Sequence, residues 1–346
     1  MFDLLSGTGG FLVTAMAHAM KQLEIDFTKD TGKEKNNWND YEKRIFQDKI
    51  ADMAKNNYYG FDINPDLVKA TKMNMVMNND GSGNILQTNS LLPPHEWTDD
   101  FKTRLSNALQ IEKKSIKNKD DIALFDVIVT NPPFGSKIPI KDHSILSQFD
   151  LARIWTEDKK TGRWTMTDRY QSSVPPEILF IERCYQFLKP GGRMGIVLPD
   201  ALLGSPGTGY IREWLIKNTK IIASIDLHED TFQPRNGTQT SVLFLQKKTP
   251  AEIIKEESTG QMADYNIFMA IVDKIGHDKR GNTLFKRDKD GNEIMVPEKQ
   301  TVIKIDEISS GEKTAQIESR EKVVDDQTLL VPSIFRNWKT NEGIVW

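Results

Sequence analysis

The 346-residue chain is 38% hydrophobic and 27% charged, with 22 glycines and 15 prolines. That balance suits one large folded domain or two modest ones, and excludes a disordered polyelectrolyte, a collagen-like repeat and a membrane bundle. The net charge of -3, from 46 basic and 49 acidic residues, gives no overall attraction to nucleic acid. One cysteine, Cys184, excludes a disulfide framework and suits a reducing cytosol. The five histidines form no pair at ligand spacing, so no metal site is expected. No apolar run approaches the ~18 residues of a spanning helix. Asp3 and three glycines interrupt the only stretch resembling a signal peptide, so a cytoplasmic chain without a membrane partner is expected.

Short apolar runs predict strands at residues 2–5, 58–62, 84–88, 125–130, 193–198, 221–227 and 240–246. Several, such as FDVIVT and MGIVL, are apolar throughout, as strands buried on both faces are. Helical patterns at 10–23, 65–77, 176–188 and 209–218 alternate with them, which predicts an α/β fold with a parallel sheet. Insertions at 28–57, with one helix at 38–54, and at 95–121 carry no motif and read as solvated helices. Residues 135–173 read as a long loop. The expected organisation is a first domain at 1–249 and a small α+β extension at 250–346. The extension contains a hairpin turning at Asp290-Gly291, and no internal repeat is evident. Lys279, Arg280, Lys286, Arg287 and Lys289 alternate with acidic residues there and read as a solvated surface.

Two motifs carry chemistry. The first, Asp3 to Phe11 (DLLSGTGGF), turns from a strand into a helix through Gly7, Thr8, Gly9 and Gly10. Glycines let backbone approach a ligand, and the helix start presents free N–H groups. No Gly-Lys-Ser/Thr follows, so this is not a Walker phosphate loop. Asp62 ends the second strand, where an acidic residue accepts hydrogen bonds from a ribose, and Asn89 ends the third.

The second motif is Asn131-Pro132-Pro133-Phe134, at the end of the fourth strand. Open α/β sheets bind ligands at such strand ends. An exocyclic amine is a poor nucleophile because its lone pair is delocalised into the ring. If the Asn131 side-chain oxygen and the Pro132 carbonyl accept its two hydrogens, the lone pair is freed toward a methyl donor held in line. The prolines fix φ and keep the carbonyls oriented, and Phe134 offers a stacking face for an extruded base.

DLLSGTGGF, GFDINPDLVKATKMNM, NPPF, and the run from PPEILFIERCYQFLKPGGRMGIVLPDALLG to TSVLFLQKK resemble the N6-adenine DNA methyltransferases, most closely the modification (M) subunit of type I restriction-modification systems. The resemblance covers most of residues 2–248. It implies a Rossmann-like sheet of seven strands with the last antiparallel, S-adenosylmethionine as donor, and double-stranded DNA with specificity (S) and restriction (R) subunits as partners. It places Asp3, Gly7, Thr8, Gly9, Gly10 and Phe11 in the donor turn, Asp62 on the ribose, and Asn89 by the donor's adenine. Asn131, Pro132, Pro133 and Phe134 become the catalytic pocket, and Phe232 the neighbour of the target base. DLLSGTGGF replaces the family's DPACGTGGF, losing Pro and Cys. The chain begins six residues before Gly7, so an N-terminally truncated member with weak donor affinity is expected. Other readings stay open here: a truncated non-catalytic scaffold for a specificity subunit or DNA, or a protein-glutamine or rRNA methyltransferase with an NPP-aromatic motif.

Overall fold

The structure, a computed structural model, describes residues 1–78, 82–135, 138–305 and 312–344. The chain divides into two compact units, residues 1–224 with 242–267, and residues 225–241 with 268–346.

The first unit opens with β1 (Phe2–Asp3), α1 (Gly10–Thr31), α2 (Asp40–Asn57), β2 (Tyr59–Asp62), α3 (Pro65–Met77), β3 (Ile85–Gln87), α4 (Asp99–Leu109) and β4 (Phe125–Thr130). It continues with α5 (His143–Leu146), β5 (Arg153–Glu157), β6 (Trp164–Tyr170), α6 (Pro176–Phe187), β7 (Leu188–Pro199), α7 (Asp200–Gly204), α8 (Gly209–Asn218), β8 (Thr219–Asp226), β9 (Thr240–Lys247) and α9 (Pro250–Thr259). The seven strands that the apolar runs predict lie hydrogen-bonded in the order β8-β9-β7-β4-β1-β2-β3. β1 pairs in parallel with both β4 and β2, β2 with β3, and β4 with β7. From β1 the chain runs outward to β3 on one side, and β4 opens the other side. The carboxyl ends of β1 and β4 therefore form the topological switch point at which such sheets bind ligands.

Aromatic rings fill the middle of the sheet. Phe187 of α6 lies within 5.1 to 6.1 Å, centroid to centroid, of Phe2, Phe125, Phe61 and Trp97. Phe2 stacks on Phe125 at 4.1 Å.

Four features depart from the sequence reading. α1 runs on to Thr31 and ends at Gly32 in the left-handed region, φ 64°. Phe27, Trp38 and Phe46 then bury one another between α1 and α2, so this insertion has its own small core. The 95–121 insertion lends Trp97, Phe101, Leu105 and Ile116 to the main core, with only its outer face solvated. Within 138–173, β5 and β6 form an antiparallel hairpin where a loop was expected, and Trp155 stacks on Tyr210 of α8 at 5.9 Å.

α9 lies beyond residue 249 yet belongs to the first unit. A capping box joins Thr249 to Glu252, and Lys220–Glu252 and Lys248–Glu256 ion pairs tie the helix back.

The second unit holds β10 (Phe268–Ile271), an antiparallel ribbon of β11 (Met295–Ile305) and β12 (Glu312–Lys322), and α10 (Val331–Asn341). Phe335 and Trp338 of α10 pack on Phe268. The region expected to form one hairpin forms two tight turns, with bridges at His277–Thr283 and Arg287–Glu293. The turns share a short sequence pattern, DKRGN at 278–282 and DKDGN at 288–292. In each, the leading Asp accepts two backbone N–H bonds and the Gly takes a positive φ. Among the described residues no helix is long and apolar enough to cross a membrane.

Phe187→Ala is expected to cost about 3–5 kcal/mol in urea unfolding, since it opens a cavity that backbone-anchored rings cannot fill. A loss below about 1 kcal/mol would show that the aromatic cluster is not central to the fold.

Candidate active site

The glycine turn is built by its own backbone and by α3. Gly7 and Gly9 take φ values of 54° and 85°, a region that residues with side chains rarely adopt. A Cβ on Gly9 would also fall 2.9 Å from Thr71 Cγ2. Thr71 Oγ1 donates to the Gly7 carbonyl and Asn74 Nδ2 to the Thr8 carbonyl, both at 2.7 Å. Thr8, Gly10 and Phe11 are exposed, and no side chain caps α1, so its first N–H groups are open to a ligand's polar atoms.

Asp62 is buried behind this turn. Its Oδ2 accepts the Gly7 N–H at 3.0 Å and its Oδ1 the Asn64 N–H at 2.9 Å. The carboxylate thus holds the turn and the start of α3, and each oxygen keeps a second lone pair for a ligand. Ile63, the next residue, is 59% exposed. Together with Thr88, Asn89 and Leu92 it lines a cleft of about 570 Å³. Neither the glycine turn nor Asn131 to Phe134 contributes to the walls of that cleft. Ile63 follows the acidic end of β2 directly, a placement legible in the sequence.

Asn89 turns its Oδ1 inward, accepting the Leu91 N–H at 3.0 Å. Its side-chain oxygen thus holds the turn, and its second lone pair and the amide NH2 stay available to a ligand. Ser90 donates to the Leu4 carbonyl at 2.9 Å, so the β3 end is fastened to the β1 end.

Asp3 is 1% exposed and acts from beneath the turn. Its Oδ1 accepts the Leu5 N–H at 3.1 Å and the Thr130 hydroxyl at 2.8 Å. Thr130 is the last residue of β4, so this bond joins the glycine turn to the base of the Asn-Pro-Pro-Phe segment. Burial pushes the Asp3 carboxyl up to about 7, against the pull of these two hydrogen bonds.

Asn131 is half-buried, Pro132 buried, Pro133 exposed and Phe134 half-buried. Asn131 Oδ1 is buried and, among the described residues, has no hydrogen-bond partner. Gly135 follows at φ 123°, and its N–H donates to Glu177 Oε1 of α6 at 3.1 Å. The structure thus brings Asp3, Gly7 to Phe11, Asp62 and Asn131 to neighbouring strand ends of one unit. Phe232 lies in the second unit, in the turn where its carbonyl accepts the N–H groups of Arg235 and Asn236. The site described here is confined to the first unit. Among the described residues no cluster of His, Cys, Asp and Glu could hold a metal ion.

The raised Asp3 carboxyl has a consequence for stability. The folded chain keeps a proton on Asp3 that the unfolded chain releases near pH 4. Asp3 therefore makes stability fall as pH rises from about 4 to about 7. Asp3→Asn is expected to remove that contribution. Urea unfolding at pH 5 and pH 8 should show the parent losing its advantage over the variant at the higher pH, and a difference independent of pH would contradict the assignment.

Comparison with known proteins adds an independent line. The family model described as N-6 DNA Methylase matches residues 1–319. The methylase subunit of the type I restriction enzyme EcoEI from Escherichia coli is 27% identical over 135 residues, covering 37% of this chain but 22% of the relative. The chain thus matches about a fifth of that relative's length. Among solved structures, a modification subunit of a putative type I restriction enzyme from Vibrio vulnificus aligns with a TM-score of 0.41 at 20% identity. That alignment covers 72% of this chain and 40% of that one. A putative class I S-adenosylmethionine-dependent methyltransferase from Listeria monocytogenes aligns with a TM-score of 0.42 at 17% identity, covering 79% and 58%. With its family model spanning nearly the whole sequence, the chain belongs to the N-6 DNA methylase family.

Proposed function

We propose that this chain methylates the N6 amino group of an adenine flipped out of double-stranded DNA, using S-adenosylmethionine, as the methylation subunit of a type I restriction-modification system. A specificity subunit would bring the target sequence, a restriction subunit would join the same assembly, and the work would be cytoplasmic. The near-neutral charge of the chain fits a subunit that leaves target reading to another protein.

The observation that carries the reading is Asn131 Oδ1, a buried acceptor at the sheet's switch point that has no partner among the described residues. Leaving such an atom unpaired costs ~1–3 kcal/mol, a cost that an arriving amine donor offsets. Gly7 to Gly10, the open start of α1, Asp62, Ile63 and Asn89 supply polar and apolar groups of the kinds a nucleoside with an amino-acid tail requires. Bound S-adenosylmethionine supplies an electrophilic methyl group on a sulfonium.

The chain's own residues do the rest. Asn131 Oδ1 and the Pro132 carbonyl accept the two amine hydrogens, which turns the nitrogen lone pair out of conjugation. The two prolines keep those acceptors from rotating away. Phe134 stacks on the extruded base. Positioning of this kind is the principal contribution, since neither acceptor ionises during transfer.

Transfer of tritiated methyl to a DNA library, with a co-expressed specificity subunit, tests the reading. Asn131→Ala is expected to lower the rate by about a hundredfold or more, as loss of one preorganised hydrogen-bonding group does elsewhere. Equal rates for parent and variant would defeat the proposal.

A further inference from the structure

The segment from Asn131 to Phe134 is short of backbone donors, because Pro132 and Pro133 have no N–H. Its rigidity has to be imposed from both ends. At the entrance, Thr130 is bonded to the buried Asp3 carboxyl. At the exit, Gly135 takes φ 123°, a conformation open to glycine and to few other residues. Here a second buried carboxyl takes hold.

Glu177 stands in the first turn of α6, just after Pro175 and Pro176. A first-turn carboxylate ordinarily faces water and the helix's own N–H groups. Glu177 is only 5% exposed, and its Oε1 accepts the Gly135 N–H at 3.1 Å. Its Oε2 is buried and, among the described residues, unpartnered. Keeping a carboxylate in such a place is costly unless the bond it makes is needed. The start of α6 fits that need. Pro175 and Pro176 set the backbone at the helix entrance, so Glu177 leaves α6 in a fixed direction.

We propose that Glu177 is a positioning residue that sets the Asn-Pro-Pro-Phe acceptors by clamping the backbone immediately behind them. This inference rests on the N6-methyl transfer read above. It assigns Glu177 no part in proton transfer. Only an acceptor oxygen at this place is required, and the charge is not.

Hydrogen exchange and kinetics on the full chain test it, with three variants. Glu177→Ala removes the acceptor, Glu177→Asp retracts it by one methylene while keeping the charge, and Glu177→Gln keeps an acceptor oxygen in place. Amide exchange is measured on the peptide holding residues 131–135, without DNA or donor. It should quicken about tenfold or more in the Ala and Asp variants and stay near the parent's in Gln. In methyl transfer, the Ala and Asp variants should lose about tenfold or more in kcat with donor KM nearly unchanged, and Gln should recover most of the rate. Unchanged exchange in both Ala and Asp, or faster exchange without loss of kcat, would overturn the proposal. If Ala does not fold, the comparison of Asp with Gln decides alone. A parent chain that transfers no methyl group to DNA would defeat the functional reading only, and the clamp would still stand or fall on the exchange rates.

Discussion

The hydrogen bond from the Thr130 hydroxyl to the buried Asp3 carboxyl joins the ends of two parallel strands that are 127 residues apart in sequence. β1 is only two residues long, so its place between β4 and β2 cannot rest on a long ladder of backbone bonds. Phe2 anchors it from below by stacking on Phe125 and packing edge-on against Phe61. Asp3 anchors it from above by holding both Leu5 and Thr130. With that strand secured, the glycine turn and the Asn-Pro-Pro-Phe segment leave the sheet side by side, which is the condition for a donor and an acceptor to meet.

α6 is the second organising element. Eleven of its twelve residues are buried, charged ones included. Glu177 reaches Gly135, while Glu182 accepts the N–H groups of Asp150 and Leu151 at 3.0 and 2.9 Å. Arg183 Nη2 donates to the Leu91 carbonyl and to Gln148 Oε1, both at 2.9 Å, and its guanidinium lies over the Phe149 ring at 4.8 Å. Burial lowers the Arg183 pKa to about 9 and raises that of Glu182 to about 7. A helix core of this kind specifies geometry at some cost in stability. Its bonds end on the segments that follow β3 and β4, which are the segments that carry Asn89 and Asn131.

Much of this was readable in advance. Seven strands announced themselves as apolar runs, and several were apolar throughout, as a strand buried on both faces must be. Gly7 and Gly9 were legible because a tight turn into a helix demands residues without a Cβ, and Asn131 to Phe134 because two prolines after Asn are rare and chemically pointed. Glu177, Glu182 and Arg183 were visible as charges inside the apolar run PPEILFIERCYQF, yet the partners they reach outside α6 lie 31 to 92 residues away. No local pattern discloses partners at such a distance. The same reason hid the Phe27, Trp38 and Phe46 cluster, whose members sit on different helices and the loop between them.

Strand composition and turn chemistry are local properties, so the amino-acid order alone determined the class of fold and pointed to the chemistry proposed for it. Which buried carboxyl holds which loop is a matter of three-dimensional neighbourhood. The family resemblance placed Asp3 in the donor turn, and packing adds that its buried carboxyl is bonded to Thr130. Hydrophobic periodicity states that a face is buried without stating against what. The choice of partner was left to tertiary structure, where desolvation makes each buried polar group seek a specific bond.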